Sequence, residues 1–248
     1  MVASFFSIAQ DTTKVVAPST TAPPTTAAPS SSSTKGGIRV SLKVSPGISY
    51  VRVEDKDSKD TYNYSANGSQ FSFLFGPSVD FPLLKKNVYF STGVWFSLRS
   101  NKISSTSNDP SITAGVGSSK YNLQYIMIPL SFKFYTNEVA KNMRVYFNIG
   151  GSFDIKISES RSGNDDTKLM QAARDADGKL YAFADGTFMI GTGLEFKLGN
   201  TTLYSGVSYN RGIVNIVNPF LTTNDTHKPY QYLSLKNNLI NFDIGVQF

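Results

Sequence analysis

From Ile38 to Phe248 the chain alternates apolar and polar residues in run after run, and a period of two dictates β-strands with one greasy face and one small or polar face. The last run is the clearest. Phe242, Ile244, Val246 and Phe248 share one face, and Asn241, Asp243, Gly245 and Gln247 share the other. Eight such runs begin near Ile38, Phe71, Val88, Tyr121, Met143, Gly186, Thr202 and Tyr232. The first aligns Ile38, Val40, Leu42, Val44, Pro46, Ile48 and Tyr50, and the third sets Val88, Phe90, Val94, Phe96 and Leu98 against Tyr89, Ser91, Gly93, Trp95, Ser97 and Arg99. In the seventh, from Thr202 to about Phe220, the phase slips near Arg211-Gly212, which predicts a bulge.

The connections alternate as strictly as the strands. Residues 84–87, 138–142 and 199–201 are short turns, whereas 55–70, 104–120, 159–185 and 221–231 are long and polar. Eight strands in this rhythm place both termini on the short-turn side, as in an outer-membrane barrel with short periplasmic turns and long outward loops. The expected fold is all-β, an eight-stranded antiparallel transmembrane up-and-down barrel.

Periodicity does not say which face looks outward, so a soluble lipocalin-like barrel is the competing architecture. Its outer face would be wet and charged. Here the polar face is Gly, Ser and Asn with few charges, charged residues make up only 17% of the chain, and aromatics reach 13%. That composition suits an apolar face against acyl chains and a packed, hydrogen-bonded lumen. No apolar run is long enough for a membrane helix, and the absence of cysteine removes disulfides and thiolate metal sites. The net charge of +6 is scattered, with no basic cluster of the kind that binds nucleic acid.

Residues 1–9 look like the back half of a secretory signal peptide without its basic region, with a cut expected before Gln10. Residues 10–37 are rich in Thr, Ser, Ala and Pro and offer nothing to bury, which predicts a disordered periplasmic tether ahead of a barrel at 38–248.

Two stretches and the terminal aromatic resemble a known family. Tyr125-Ile126-Met127-Ile128-Pro129-Leu130-Ser131-Phe132-Lys133-Phe134-Tyr135 is similar to the Tyr, Ile-Pro-Leu, Lys-aromatic-Tyr stretch of the Bacteroidetes outer-membrane β-barrel family that includes PorT-like proteins. Tyr209-Asn210-Arg211-Gly212-Ile213-Val214-Asn215-Ile216 resembles its Tyr-x-x-Gly-Leu-x-Asn-Ile stretch, with Ile213 for Leu and Val214 for Thr. The strand ending on Phe248 resembles the assembly signal of outer-membrane barrels, which makes Phe242, Ile244, Val246 and Phe248 its expected carriers. The resemblance implies an outer-membrane location in a Gram-negative bacterium and, among partners, membrane lipid and the barrel-assembly machinery.

Chemistry is sparse. The single histidine, His227, lies in the last long loop beside Asp225 and Thr226 without a Gly-x-Ser-x-Gly nucleophile motif, and no His or carboxylate cluster has metal-ligand spacing. We therefore expect no enzyme activity and no cofactor. On the polar face, Arg39, Lys43, Asp80, Arg99, Lys133, Arg144, Asp154, Lys156, Glu195, Lys197 and Asp243 are expected to pair inside the lumen. Eight strands leave room only for side chains, so such a network plugs the barrel. The sequence thus reads as a structural or interaction subunit contacting protein partners through its loops or tether, with a narrow small-solute channel and a cell-surface hydrolase as the alternatives. Residues 168–174, in the longest loop, read as a lid or a short partner helix.

Overall fold

The computed structural model describes residues 37–55, 62–83, 87–107, 109–111, 116–163, 179–219 and 233–248. All belong to the second of two units into which the chain divides, Lys35–Phe248. The expected signal peptide, almost all of the expected tether, His227 and the 168–174 segment lie outside the described residues.

The described residues form β1 (Arg39–Asp55), β2 (Tyr62–Ala66), β3 (Gln70–Pro82), β4 (Val88–Gly93), β5 (Trp95–Ser107), β6 (Gly117–Tyr135), β7 (Met143–Gly163), β8 (Ala184–Leu198), β9 (Thr201–Gly212) and β10 (Leu233–Gln247). Strands β2 and β3 are one stave interrupted at 67–69, since both pair with β5. Strands β4 and β5 are another, interrupted at Val94, since both pair with β6. The ten strands therefore make eight staves. Every pairing is antiparallel, and β1 pairs with β3 on one side and β10 on the other, which closes the ring. The described residues include no helix. This is the up-and-down barrel that the alternation predicts, closed through the β1–β3 ladder from Arg39 to Ser49.

Local chemistry sets the tight turns. Gly199-Asn200 joins β8 to β9, and a positive φ of 60° at Gly199 alone gives the type II′ hairpin whose twist matches the flanking strands. Asn142, with φ 62°, ends the β6–β7 connection, and its carbonyl accepts the Lys197 N–H at 2.8 Å.

The apolar faces look outward. Exposed positions on β8 run from Phe188 through Ile190, Leu194 and Phe196 to Leu198, and along β10 from Ile240 through Phe242 and Ile244 to Phe248 just past its end. These spans match the roughly 9–11 residues with which a tilted strand crosses a bilayer core. An apolar belt of this extent is not a surface that water tolerates on a monomer. Toward the long-loop side the outward residues become Ser104, Asn122, Ser158 and Ser234, so β5, β6, β7 and β10 continue beyond the belt.

Several boundaries differ from the expected ones. Strand β9 keeps unbroken register to Gly212 and stops there, with no bulge at Arg211-Gly212. The phase slip marks departure from the wall: Ile216 and Val217 turn into the lumen, where their apolar side chains are buried. The register shift occurs instead between β6 and β7, where Gln124 pairs with Ser158 and Tyr125 with Lys156, leaving Ile157 as the extra residue. Strand β7 continues to Gly163 and β8 begins at Ala184, so Glu159 and Asp185 belong to the wall rather than to a loop. Strand β2 likewise occupies part of the expected 55–70 loop.

Candidate functional site in the barrel interior

Inward side chains fill the barrel in layers. At the short-turn end Tyr89, Tyr135, Tyr146 and Tyr204 form one cluster, with successive ring centroids 5.4, 6.2 and 6.2 Å apart. Glycines on the facing strands make room for them. A Cβ at Gly245 would overlap the Tyr204 ring, and one at Gly193 or Gly206 would overlap the Tyr146 hydroxyl. The Arg39 guanidinium lies 4.3 Å from the Tyr89 centroid, and that of Arg144 lies 4.7 Å from Tyr135. Both arginines reach Glu195, Arg144 at 2.8 Å and Arg39 at 3.9 Å. A hollow of about 290 Å³ opens at this mouth, lined by Arg39, Glu138, Arg144, Glu195, Lys197 and Gln247.

Above this lie two further ion pairs. Lys43 meets Asp243 at 3.0 Å, with Ser45 Oγ donating to the same carboxylate at 2.7 Å. The Lys43 ammonium also lies 4.0 Å from the Trp95 ring, whose Nε1–H donates to Ser78 Oγ at 2.8 Å. Lys133 meets Asp80 at 2.9 Å, and Gln247 Nε2 donates to that aspartate at 3.1 Å. Trp95 then joins Leu74, Met127, Met189 and Leu239 in an apolar layer, beside which the Arg99 guanidinium binds Asp154 and, at 3.1 Å, Asp185.

The long-loop end is closed by an apolar plug. Leu180, Tyr181, Ile216 and Val217 pack inside the wall against Val51, Ile103, Leu123, Leu233 and Leu235. The two inserted segments hydrogen-bond to each other, Ala182 N–H to Ile216 O and Asn218 N–H to Leu180 O, both at 2.8 Å. Glu159 holds them to β7 by accepting the Leu180 N–H at 2.8 Å and the Tyr181 N–H at 3.3 Å. Lys156 completes the clip by pairing with Glu159 and donating to the Tyr181 carbonyl. Burial, with Tyr121 alongside, raises the Tyr181 hydroxyl well above the usual tyrosine range. At the rim, the hydroxyl and N–H of Ser111 hold the exposed Asp109 below the usual carboxylate range.

Of the eleven charges expected in the lumen, Arg39, Lys43, Asp80, Arg99, Lys133, Arg144, Asp154, Lys156, Glu195 and Asp243 each take part in an ion pair. Lys197 does not join them. It is exposed at the mouth and forms no ion pair among the described residues, because its register position lies next to the β8–β9 turn. The sequence reading missed Asp185, Glu159 and the apolar layers, and an interior of small residues and charges alone is corrected by the plug. Extending the Thr187, Met189, Gly191 phase one step back would have found Asp185; nothing in the alternation announces Glu159. Phe242, Ile244 and Phe248 are exposed on the outer face with Val246 in phase, and the Phe248 N–H bonds Val40 O at 2.9 Å across the closing seam. Among the described residues no group of three His, Cys, Asp or Glu side chains is placed to hold a metal ion.

The family match agrees with this architecture. The family described as outer membrane protein beta-barrel domain matches residues 22–218, starting inside the Pro/Thr-rich tract and stopping before β10. No curated protein matches significantly. Among solved structures, Neisserial surface protein A aligns over 86% of this chain and 96% of its own at 13% identity and TM-score 0.44. The outer membrane protein OprG from Pseudomonas aeruginosa aligns over 86% and 97% at 10% identity and TM-score 0.43. Ail, the attachment invasion locus protein of Yersinia pestis, aligns over 84% and 98% at 12% identity and TM-score 0.28. With a closed antiparallel barrel, an apolar belt of bilayer height and a family match over most of its length, the chain belongs to the outer membrane protein β-barrel domain family.

Proposed function

We propose that the protein is a non-enzymatic structural or interaction subunit of an outer-membrane complex, with its termini in the periplasm and its long loops and amino-terminal tract as contact surfaces. The observation that carries this reading is the filled lumen. Charge pairs occupy the lower half, and the Leu180, Tyr181, Ile216, Val217 plug occupies the upper, which favours a scaffold over a solute path. The short connections at 136–142 and 199–200 support periplasmic termini, because β1 starts and β10 ends on that side. The Tyr125–Tyr135 and Tyr209–Ile216 stretches connect the chain to PorT-like proteins and thus to secretion or assembly. The outward Phe242, Ile244, Val246, Phe248 ladder is the handle for the barrel-assembly machinery.

Crosslinking in native membranes, followed by identification of co-purified proteins with and without residues 11–37, tests this proposal. A defined partner set that persists in the full chain is the expected result. Planar-bilayer recording tests the competing channel reading. A steady single-channel current from the purified barrel would overturn the scaffold assignment.

A further inference from the structure

On the long-loop side of the belt, the outward positions of β1, β10 and β9 change character over three successive rows. The first row sets Ile48 opposite Ile240 and Ile240 opposite Tyr209. The second sets Tyr50 opposite Asn238 and Asn238 opposite Arg211, and the third sets Arg52 opposite Lys236. Two residues rise about 7 Å along a strand, which is comparable with the headgroup layer of a bilayer leaflet. Isoleucines that face hydrocarbon are therefore followed at once by three cations. Glu54 accepts the Arg52 Nε–H at 2.9 Å and pairs with Lys236 at 2.7 Å, so both cations are held side by side while each stays partly exposed. The Tyr50 and Tyr209 hydroxyls meet at 3.4 Å, Tyr209 reaches the Asn238 amide oxygen at 3.4 Å, and Asn238 is buried although it faces outward. Arg52 and Arg211 both lie within electrostatic reach of Tyr50. Arg52, Arg211 and Lys236 against Glu54, the one carboxylate of this patch among the described residues, leave a net charge of +2.

A long basic side chain on a membrane-facing wall can simply extend to water. Lys102 and Lys120, which face outward opposite each other on β5 and β6, ask for nothing more. The Arg52 patch is different, because a carboxylate fixes two of its cations beside a third and tyrosines line its apolar edge, where amphipathic rings settle at headgroup level. Guanidinium N–H groups match phosphate oxygens in geometry and charge. We propose that this patch binds the phosphate headgroup of one membrane lipid, through Arg52, Arg211 and Lys236, with the acyl chains of that lipid lying along the exposed Ile48, Ile240 and Val207. The continuity of the cations with the apolar wall selects a lipid over a free anion. That the lipid belongs to the outer leaflet rests on the orientation proposed above, with the long loops outward.

Native mass spectrometry of the full chain, released from a neutral detergent with equimolar dioleoyl phosphatidic acid and dioleoyl phosphatidylcholine, reads the site independently of orientation. One phosphatidic acid is expected to be retained about tenfold over phosphatidylcholine, the worth of a charge-assisted phosphate contact. Arg52→Gln/Arg211→Gln is expected to remove most of that preference. Arg211→Gln alone, at an exposed position, is expected to lower it several-fold and decides the matter if the double variant does not fold. Lys102→Gln/Lys120→Gln is expected to leave it intact. No preference in the parent chain, or an equal loss in the two double variants, overturns the site in favour of a diffuse basic collar. Displacement of the lipid by a tenfold excess of inorganic phosphate overturns it in favour of a free-anion site. Orientation is read separately, by labelling Ser111→Cys, the single cysteine of that variant, with a membrane-impermeant maleimide on intact cells. Labelling is expected, and its absence overturns the outer-leaflet assignment while leaving the phosphate preference standing.

Discussion

Lys156 and Glu159 lie three residues apart on β7, yet both point into the barrel and form an ion pair. Strict alternation would send one of them to the outer face. The extra residue Ile157 opposite the Gln124/Tyr125 step resets the phase and brings Glu159 inside, where its carboxylate accepts the backbone N–H groups of Leu180 and Tyr181. The bulge therefore makes the clip that holds the plug.

Glu159→Leu strands the Lys156 ammonium and two plug N–H groups, and is expected to destabilise the barrel by about 3–5 kcal/mol. Adding Lys156→Met removes the lone charge and should recover most of that loss. Urea unfolding midpoints in micelles check both, and a double variant no more stable than Glu159→Leu would place the clip's contribution elsewhere.

Gly245 faces the ring of Tyr204 across the β9–β10 pair. Gly245→Ala should cost about 1–3 kcal/mol by overpacking, and most of the cost should vanish in the Gly245→Ala/Tyr204→Leu background. The coupling energy from the four unfolding curves is the measurement.

Ile244 lies at the middle of the belt on β10, whereas Asn122 faces outward beyond it on β6. Arginine at Ile244 is expected to cost about 2–4 kcal/mol in vesicles and arginine at Asn122 roughly nothing. Folding titrations into lipid bilayers report the contrast; equal penalties would put the belt at the wrong height.

Tyr181 keeps its proton in the folded barrel well above pH 10, while the unfolded chain loses it near that value. Its contribution is therefore fully present below pH 10 and declines as the pH rises toward the folded value. Tyr181→Phe should flatten the alkaline limb of stability measured from about pH 9 to about pH 11, leaving the neutral limb unchanged in slope.

The period of two made the wall legible, and the scarcity of charge on its polar face, rather than the period itself, assigned the apolar face to lipid. With the faces so assigned, the period placed Arg39, Lys43, Arg99 and Asp243 inward. It failed wherever the chain stops alternating. The Ile216-Val217 pair read as an irregular strand end, and only the packing against Leu235 shows that it fills the lumen. Glu159 was hidden behind a bulge, and the choice of partner for each charge depends on barrel stagger. Arg39, for example, pairs in register with Asp80 but reaches across to Glu195.

The seam between β1 and β10 runs from Ser41 opposite Gln247 to Asp55 opposite Leu233, so the first and last staves are stitched to each other. Contacts of such large sequence separation carry a heavy loop-closure cost and form late. Until they zip, two bare rows of amides would face hydrocarbon, which the bilayer does not tolerate. Insertion is thereby an all-or-none event that waits on the final strand, and a nascent chain lacking it has no stable resting place in the membrane.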